Sequence, residues 1–195
     1  MARTSKIKRV TRETQIEVSV SLDGTGKHDI QTSIPYLDHM LAQVARHGFF
    51  DLNVKAKGDI HIDFHHTVED VGIAMGEAFK EALGEKKGIT RFADCSIPLN
   101  EALAHCVVDI SGRGFFVFNL QLPKAKIGEF DAELVAEFFQ AFATNAGITL
   151  HFNSPYWENL HHISEALFKS FARAMDRACS LDSRSKKVPS TKGKL

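Results

Sequence analysis

The chain is written twice. Val18-Ser19-Val20-Ser21-Leu22-Asp23-Gly24-Thr25-Gly26 is echoed by Cys106-Val107-Val108-Asp109-Ile110-Ser111-Gly112-Arg113-Gly114, each an alternating strand running into a Gly-x-Gly turn. Leu37-Asp38-His39-Met40-Leu41 through Gly48 to Val54 lines up with Val135-Ala136-Glu137-Phe138-Phe139 through Gly147 to Phe152, with a slip of a residue at the glycine. Both read as helix, glycine stop, strand. Farther on, His65-His66-Thr67-Val68-Glu69 returns about 96 residues later as His161-His162-Ile163-Ser164-Glu165. Such a duplication admits few architectures, because whatever one half folds into the other must also adopt.

Each half reads strand, strand, helix, strand, helix, with an extra strand around Thr32 and around Phe116 to Leu120. The expected fold is α+β: two fused repeats, each a small sheet with two helices on one face. The boundaries are residues 1–92, residues 93–182 and a basic tail, residues 183–195. A chain of 195 residues, 44% apolar, can bury such a core. Asp59 to Phe64 alternates Ile60, Ile62 and Phe64 with polar residues, the pattern of a strand with one wet face. His61, His28, His105 and His151 are accordingly read as surface or locally satisfied. His47, just before Gly48, is read as a cation favoured by the helix C-terminus. The formal net charge of zero gives no bulk attraction for nucleic acid or an anionic membrane. No signal-like start and no long apolar run are visible, so a cytoplasmic protein without a membrane span is expected. Cys95, Cys106 and Cys179, odd in number and scattered, suit reduced, buried thiols.

The paired histidines carry the chemistry. Helical apolar spacing follows each pair, Val68, Val71, Met75, Phe79 and Ile163, Ala166, Leu167, Phe171, so each opens a helix. There the first His and the Glu share a face, while the two imidazoles diverge by about 100°. Divergent rings serve two metals more readily than one. Superposing the halves sets His39 opposite Glu137. A swapped arrangement follows, in which His39, His66, Glu69 and a histidine of the other half hold one ion. Glu137, His161, Glu165 and a histidine of the first half hold the other. Such a mixed imidazole and carboxylate shell suits manganese, iron or catalytic zinc. The plainer reading, in which the pairs cap helices or bond their glutamates, loses weight because the pattern recurs with a matching upstream residue.

Several cations ask for an anion. Arg113 lies between glycines, which let a ligand approach the backbone. Arg91 sits at the join of the halves, and Lys169 lies one helical turn beyond Glu165. The tail carries Ser190 and Lys192. It reads either as a solvated basic end or, with Arg113, as a phosphate site.

Long stretches, in order, carry a resemblance: Arg12-Glu13-Thr14, Leu22 to Gly26, Leu37 to Leu41, His65 to Asp70, Asp109 to Gly114, Asn145 to His151, His161 to Glu165, and Pro189 to Gly193. Over nearly its full length the chain resembles the imidazoleglycerol-phosphate dehydratases, lyases of histidine biosynthesis. The resemblance implies two repeats like domain two of ribosomal protein S5. It also implies a homo-oligomer of twenty-four subunits, and two manganese ions in each active site shared between neighbours. It puts His39, His66, Glu69 and His162 on one metal and His65, His161 and Glu165 on the other. Glu137 departs from the histidine some members carry, and either replaces that ligand or leaves the position to solvent. Arg91, Arg113, Lys169, Ser190 and Lys192 become the phosphate set, and Glu13 and Gln43 active-site residues. The implied reaction converts D-erythro-imidazole glycerol phosphate to imidazole acetol phosphate. No carbonyl acidifies the C–H bond that breaks, so the azole ring must accept the electrons, with metals as Lewis acids and Glu165 or Glu13 as base. A two-metal phosphohydrolase is the alternative within enzymes. An RNA-binding module is the alternative outside them, disfavoured by zero net charge and the lack of an aromatic-basic ladder.

Overall fold

A computed structural model describes residues 2–195. In the first half, β1 (Thr4–Val10), β2 (Thr14–Ser21), β3 (His28–Gln31), α1 (Pro35–Gly48), β4 (Asp51–Gly58) and α2 (His65–Leu83) succeed one another. In the second, β5 (Phe92–Leu99), β6 (Ala102–Asp109) and β7 (Phe115–Asn119) are followed by a hairpin, β8 (Lys126–Ile127) with β9 (Phe130–Asp131). Then come α3 (Leu134–Ala146), β10 (Thr149–Asn153) and α4 (Leu160–Cys179). The sheet orders are β1-β2-β4-β3 and β5-β6-β10-β7, one topology used twice, with β3 parallel to β4 and β7 parallel to β10. The fold is thus α+β in two repeats, and the third strand of each half is β3 or β7.

Alternation makes each sheet one-sided. Ile16, Val18 and Val20 of β2, Leu52 and Val54 of β4, Ala104, Cys106 and Val108 of β6, and Leu150 and Phe152 of β10 are all buried. The helices answer with stripes such as Leu37, Met40, Leu41, Val44 and Ala45 of α1. α1 and α2 pack on the first sheet and α3 and α4 on the second, while α1 meets α4 and α2 meets α3, so the helices lie between the sheets. Rings of Phe79, Phe138, Phe139, Phe142, Phe168 and Phe171 interlock at the centre of one continuous core.

Facing helices run in step. A Cβ on Gly72 would lie 2.7 Å from the Phe138 carbonyl oxygen and one on Gly76 2.6 Å from that of Phe142, while Arg173 of α4 donates to the His47 carbonyl of α1. α1 crosses back between parallel β3 and β4, and α2 runs back along β1, where Arg9 meets Asp70 and Ser5 meets the Ala78 carbonyl, so α1 and α2 point the same way. All four helices therefore begin at one end of the molecule, and both histidine pairs lie at that end.

Two local readings change. Asp59–Phe64 is not a strand: β4 stops at Gly58, opposite Thr14 where β2 begins, so later residues have no partner. They turn instead, with the Ile62 amide donating to the Asp59 carbonyl at 2.8 Å and Ile62 64% exposed. Gly48 is not the left-handed stop of α1, a role that falls to Phe49 at φ 56°; Gly48 is needed because a Cβ there would strike the Phe50 ring and the Ala172 carbonyl. Gly147, at φ 65°, does end α3 in the left-handed conformation. The three cysteines are free and buried.

Candidate active site

In-step packing of α1 on α4 brings His39, one turn past Pro35, onto the face that carries His161 and Glu165. His39 Nε2 lies 3.1 Å and His161 Nε2 3.3 Å from Glu165 Oε2, and Lys169 Nζ is 2.5 Å from Oε1. Glu165 is 14% exposed. Burial pushes its carboxyl up, but hydrogen bonds and charge from Lys169 and His39 outweigh this and hold it at about 2. The ring of Tyr36 meets His161 edge-on at 5.4 Å and rests on Phe130 of β9 at 4.9 Å. Gln43 lies 3.5 Å from His39 Nδ1 and 3.1 Å from His47 Nε2, linking the two imidazoles. Burial, with Lys169 and Arg173 nearby, pushes His47 down. The dipole-favoured cation expected there is opposed by these neighbours.

One ligand atom each from His39, His161 and Glu165 falls within a 4.8 Å group, the one such group among the described residues. Donors about 2.0–2.2 Å from an ion stand roughly 3–4.4 Å apart, so small side-chain shifts would fit a cation here. Two imidazoles and a carboxylate suit a borderline divalent metal with further positions open.

At the start of α2, the His65 amide donates to Asp63 Oδ1 at 2.8 Å. His66 Nδ1 is 2.9 Å from Asp59 Oδ2 and 3.9 Å from Glu13 Oε2. The Asp59 bond raises the His66 pKa, and His66 in turn lowers that of Asp59. His65 and His66 stand at 89° to one another, His161 and His162 at 81°. His162 Nδ1 lies 3.0 Å from both oxygens of Glu101. Glu69, one turn into α2, and Glu137, in the first turn of α3, are half-buried and outside the His39 group. Within one chain His39 therefore keeps company with His161 and Glu165, and not with His66, Glu69 or His162.

The basic residues gather at the other end of α4. Arg91, at φ 75°, donates to Asp109 through Nε and Nη2 at 2.8 and 3.3 Å and to the Pro189 carbonyl through Nη1 at 2.7 Å. The Gly88 amide donates to Lys187, so the tail is pinned along Gly88–Arg91. Arg91, Arg113, Ser190, Lys192 and Lys194 line a cleft of about 620 Å³. Lys169 is not there; it is held by Glu165.

The family profile of imidazoleglycerol-phosphate dehydratase matches residues 32–175. The chain belongs to this family. Its members are hydro-lyases of histidine biosynthesis, and this chain is an enzyme of that kind. Imidazoleglycerol-phosphate dehydratases of Geobacter sulfurreducens and Geobacter metallireducens are 59% and 58% identical over all 195 residues, covering 100% of this chain and of theirs. The crystal structure of the Staphylococcus aureus dehydratase is similar with a TM-score of 0.84 at 39% identity, over 92% of this chain and 99% of that one. The Pyrococcus furiosus dehydratase gives 0.83 at 34%, over 97% and 100%. No helix among the described residues is long and apolar enough to cross a membrane.

Two carboxylates that the motifs did not single out, Asp59 and Glu101, meet His66 and His162 at Nδ1. The duplication held a signal for one of them: Glu13 immediately precedes β2 and Glu101 immediately precedes β6.

Proposed function

We propose that this chain removes water from imidazole glycerol phosphate to give imidazole acetol phosphate, in a metal-dependent reaction. The observation that carries the reading is the meeting of His39, His161 and Glu165 across α1 and α4. These residues, with His65, His66, Glu69, His162 and Glu137 as further donors, would hold divalent cations, manganese by resemblance and two for each site. When bound, such ions supply Lewis acidity that lets an azole ring carry electron density.

The chain's own residues divide the remaining work. Arg113, Ser190 and Lys192 would grip the phosphate far from the reacting carbons and so supply positioning energy. Arg91 spends most of its donors on Asp109 and Pro189, which holds Ser190 and Lys192 at the cleft. The hydroxyl on the carbon beside the ring leaves with its electron pair, a proton is lost from the next carbon, and the resulting enol tautomerises to the ketone. For that proton, both oxygens of Glu165 are already engaged by His39, His161 and Lys169, which turns the choice from Glu165 to Glu13. Glu13 lines a cleft of about 200 Å³ with Arg12, Lys57, Asp59 and His61.

A complete site needs more than one copy. His161 and Ala178, which mark the two ends, are separated by about 25 Å along α4 at 1.5 Å per residue. A ring, three carbons and a phosphate are far shorter. The reading is therefore of a homo-oligomer, a twenty-four-subunit particle by resemblance, in which the cleft of one subunit serves the metal group of a neighbour.

Metal analysis of the purified protein, then assay with imidazole glycerol phosphate before and after chelation, tests the function. Loss of turnover on chelation and its return with Mn2+ are expected. Release of inorganic phosphate, or turnover indifferent to chelation, would overturn it.

A further inference from the structure

In each half the second histidine of the pair is met at Nδ1 by a carboxylate from a loop. Asp59 Oδ2 stands 2.9 Å from His66 Nδ1, and both oxygens of Glu101 stand 3.0 Å from His162 Nδ1. A carboxylate only accepts, so the proton belongs on Nδ1 and the lone pair on Nε2 is left for another partner.

The two carboxylates do not descend from one position of the duplicated unit. Asp59 comes from the turn after β4, and the residue about 96 places on is Pro155. Glu101 comes from the β5–β6 turn, where its counterpart before β2 is Glu13, which approaches His66 Nδ1 only to 3.9 Å. The same bond is thus built from two unrelated loop positions. Inheritance of a repeat does not explain that; a requirement on the imidazole does.

We propose that Asp59 and Glu101 are positioning residues that fix the tautomer and ring plane of His66 and His162, so that each presents Nε2 as a metal donor. This rests on the metal-dependent reading above. A carboxylate behind a ligating imidazole holds its orientation and strengthens it as a donor, and loss of such a partner typically costs about 10- to 100-fold in metal affinity.

Glu101 has a second bond that a purely structural account would invoke. Its Oε1 accepts from the Asn159 amide at 2.9 Å, and Asn159 Oδ1 caps α4 by accepting from the amides of His161 and His162. Asp59 has no such duty, so the two residues separate the explanations.

The experiment is a titration of the chelator-stripped, full-length protein with Mn2+, following free ion by electron paramagnetic resonance, with thermal midpoints measured in parallel. Wild type should bind. Asp59→Ala and Glu101→Ala should each weaken binding by about 10- to 100-fold, and Asp59→Asn and Glu101→Gln, which keep an acceptor but not the charge, should fall between. Alanine variants that melt lower yet bind Mn2+ as wild type does would overturn the inference and leave a structural role. Should Glu101→Ala not fold, Glu101→Gln and both Asp59 variants decide it in the same way. A wild-type protein that binds no Mn2+ removes the metal reading and this inference with it, and so is distinguishable from failure of the inference alone.

Discussion

Glu165 illustrates how one residue can be both legible and opaque. Its pairing with Lys169 follows from a separation of four on a helix, but its meeting with His39 depends on α1 and α4 packing in step, which periodicity does not report. The depressed carboxyl has a consequence for stability. A folded-state pKa below the unfolded one stabilises the protein above the unfolded value, near 4.5, and that contribution is lost as pH falls towards 2. In metal-free protein, Glu165→Gln should therefore lower urea stability by on the order of 2 kcal/mol at neutral pH. The gap between variant and wild type should close between pH 5 and pH 2; a gap that does not change with pH would refute the electrostatic account. Glu13 makes a different prediction. Glu13→Gln should lower kcat by about 10²- to 10⁴-fold, the usual worth of a positioned general base, with Mn2+ binding retained. Unchanged turnover would remove Glu13 from the proton transfer.

Elements were most readable where a single face decides them. Val68, Val71, Met75 and Phe79 of α2, and Ile163, Ala166, Leu167 and Phe171 of α4, are buried as their spacing requires. Asp59 to Phe64 misled because alternation reports only a possible pleat, whereas a strand also needs a partner, and Gly58 already lies opposite Thr14, the first residue of β2. The β8–β9 hairpin had no echo in the first half to announce it. Gly72 and Gly76 are unfavourable inside a helix by propensity alone, yet they are where α3 comes closest. Alanine at either position gains about 1 kcal/mol of helix propensity but meets a backbone carbonyl, and overpacking of this kind costs about 1–3 kcal/mol. Because backbone cannot yield as a side chain does, the second effect should win. Gly76→Ala should lose up to about 2 kcal/mol in chemical denaturation; a more stable variant would mean that the helices separate freely.

At the scale of the whole molecule, the duplication in the sequence located both histidine pairs, but not the distance between them and the basic cleft, because that is set by the common direction of the four helices. On the proposed reading, with the His39–His161–Glu165 group at one end of α4 and Arg113 at the other, a substrate reaching both would draw on two copies. This arrangement can be tested by complementation. His161→Ala damages the metal group and leaves the cleft intact; Arg113→Ala does the reverse. Each variant alone should be inactive or nearly so. Co-expressed, they should form mixed assemblies in which a site works when an Arg113→Ala subunit supplies the metal group and a His161→Ala subunit supplies the cleft. Random mixing of equal amounts makes that combination about one quarter of all heterologous contacts, so roughly a quarter of wild-type turnover is expected. Two variants assembled separately and then combined without exchange should recover nothing, which controls for contamination. Mixed particles as inactive as their parents would mean that cleft and metal group do not meet across a subunit contact, and Arg113 would then lose its assignment to the phosphate.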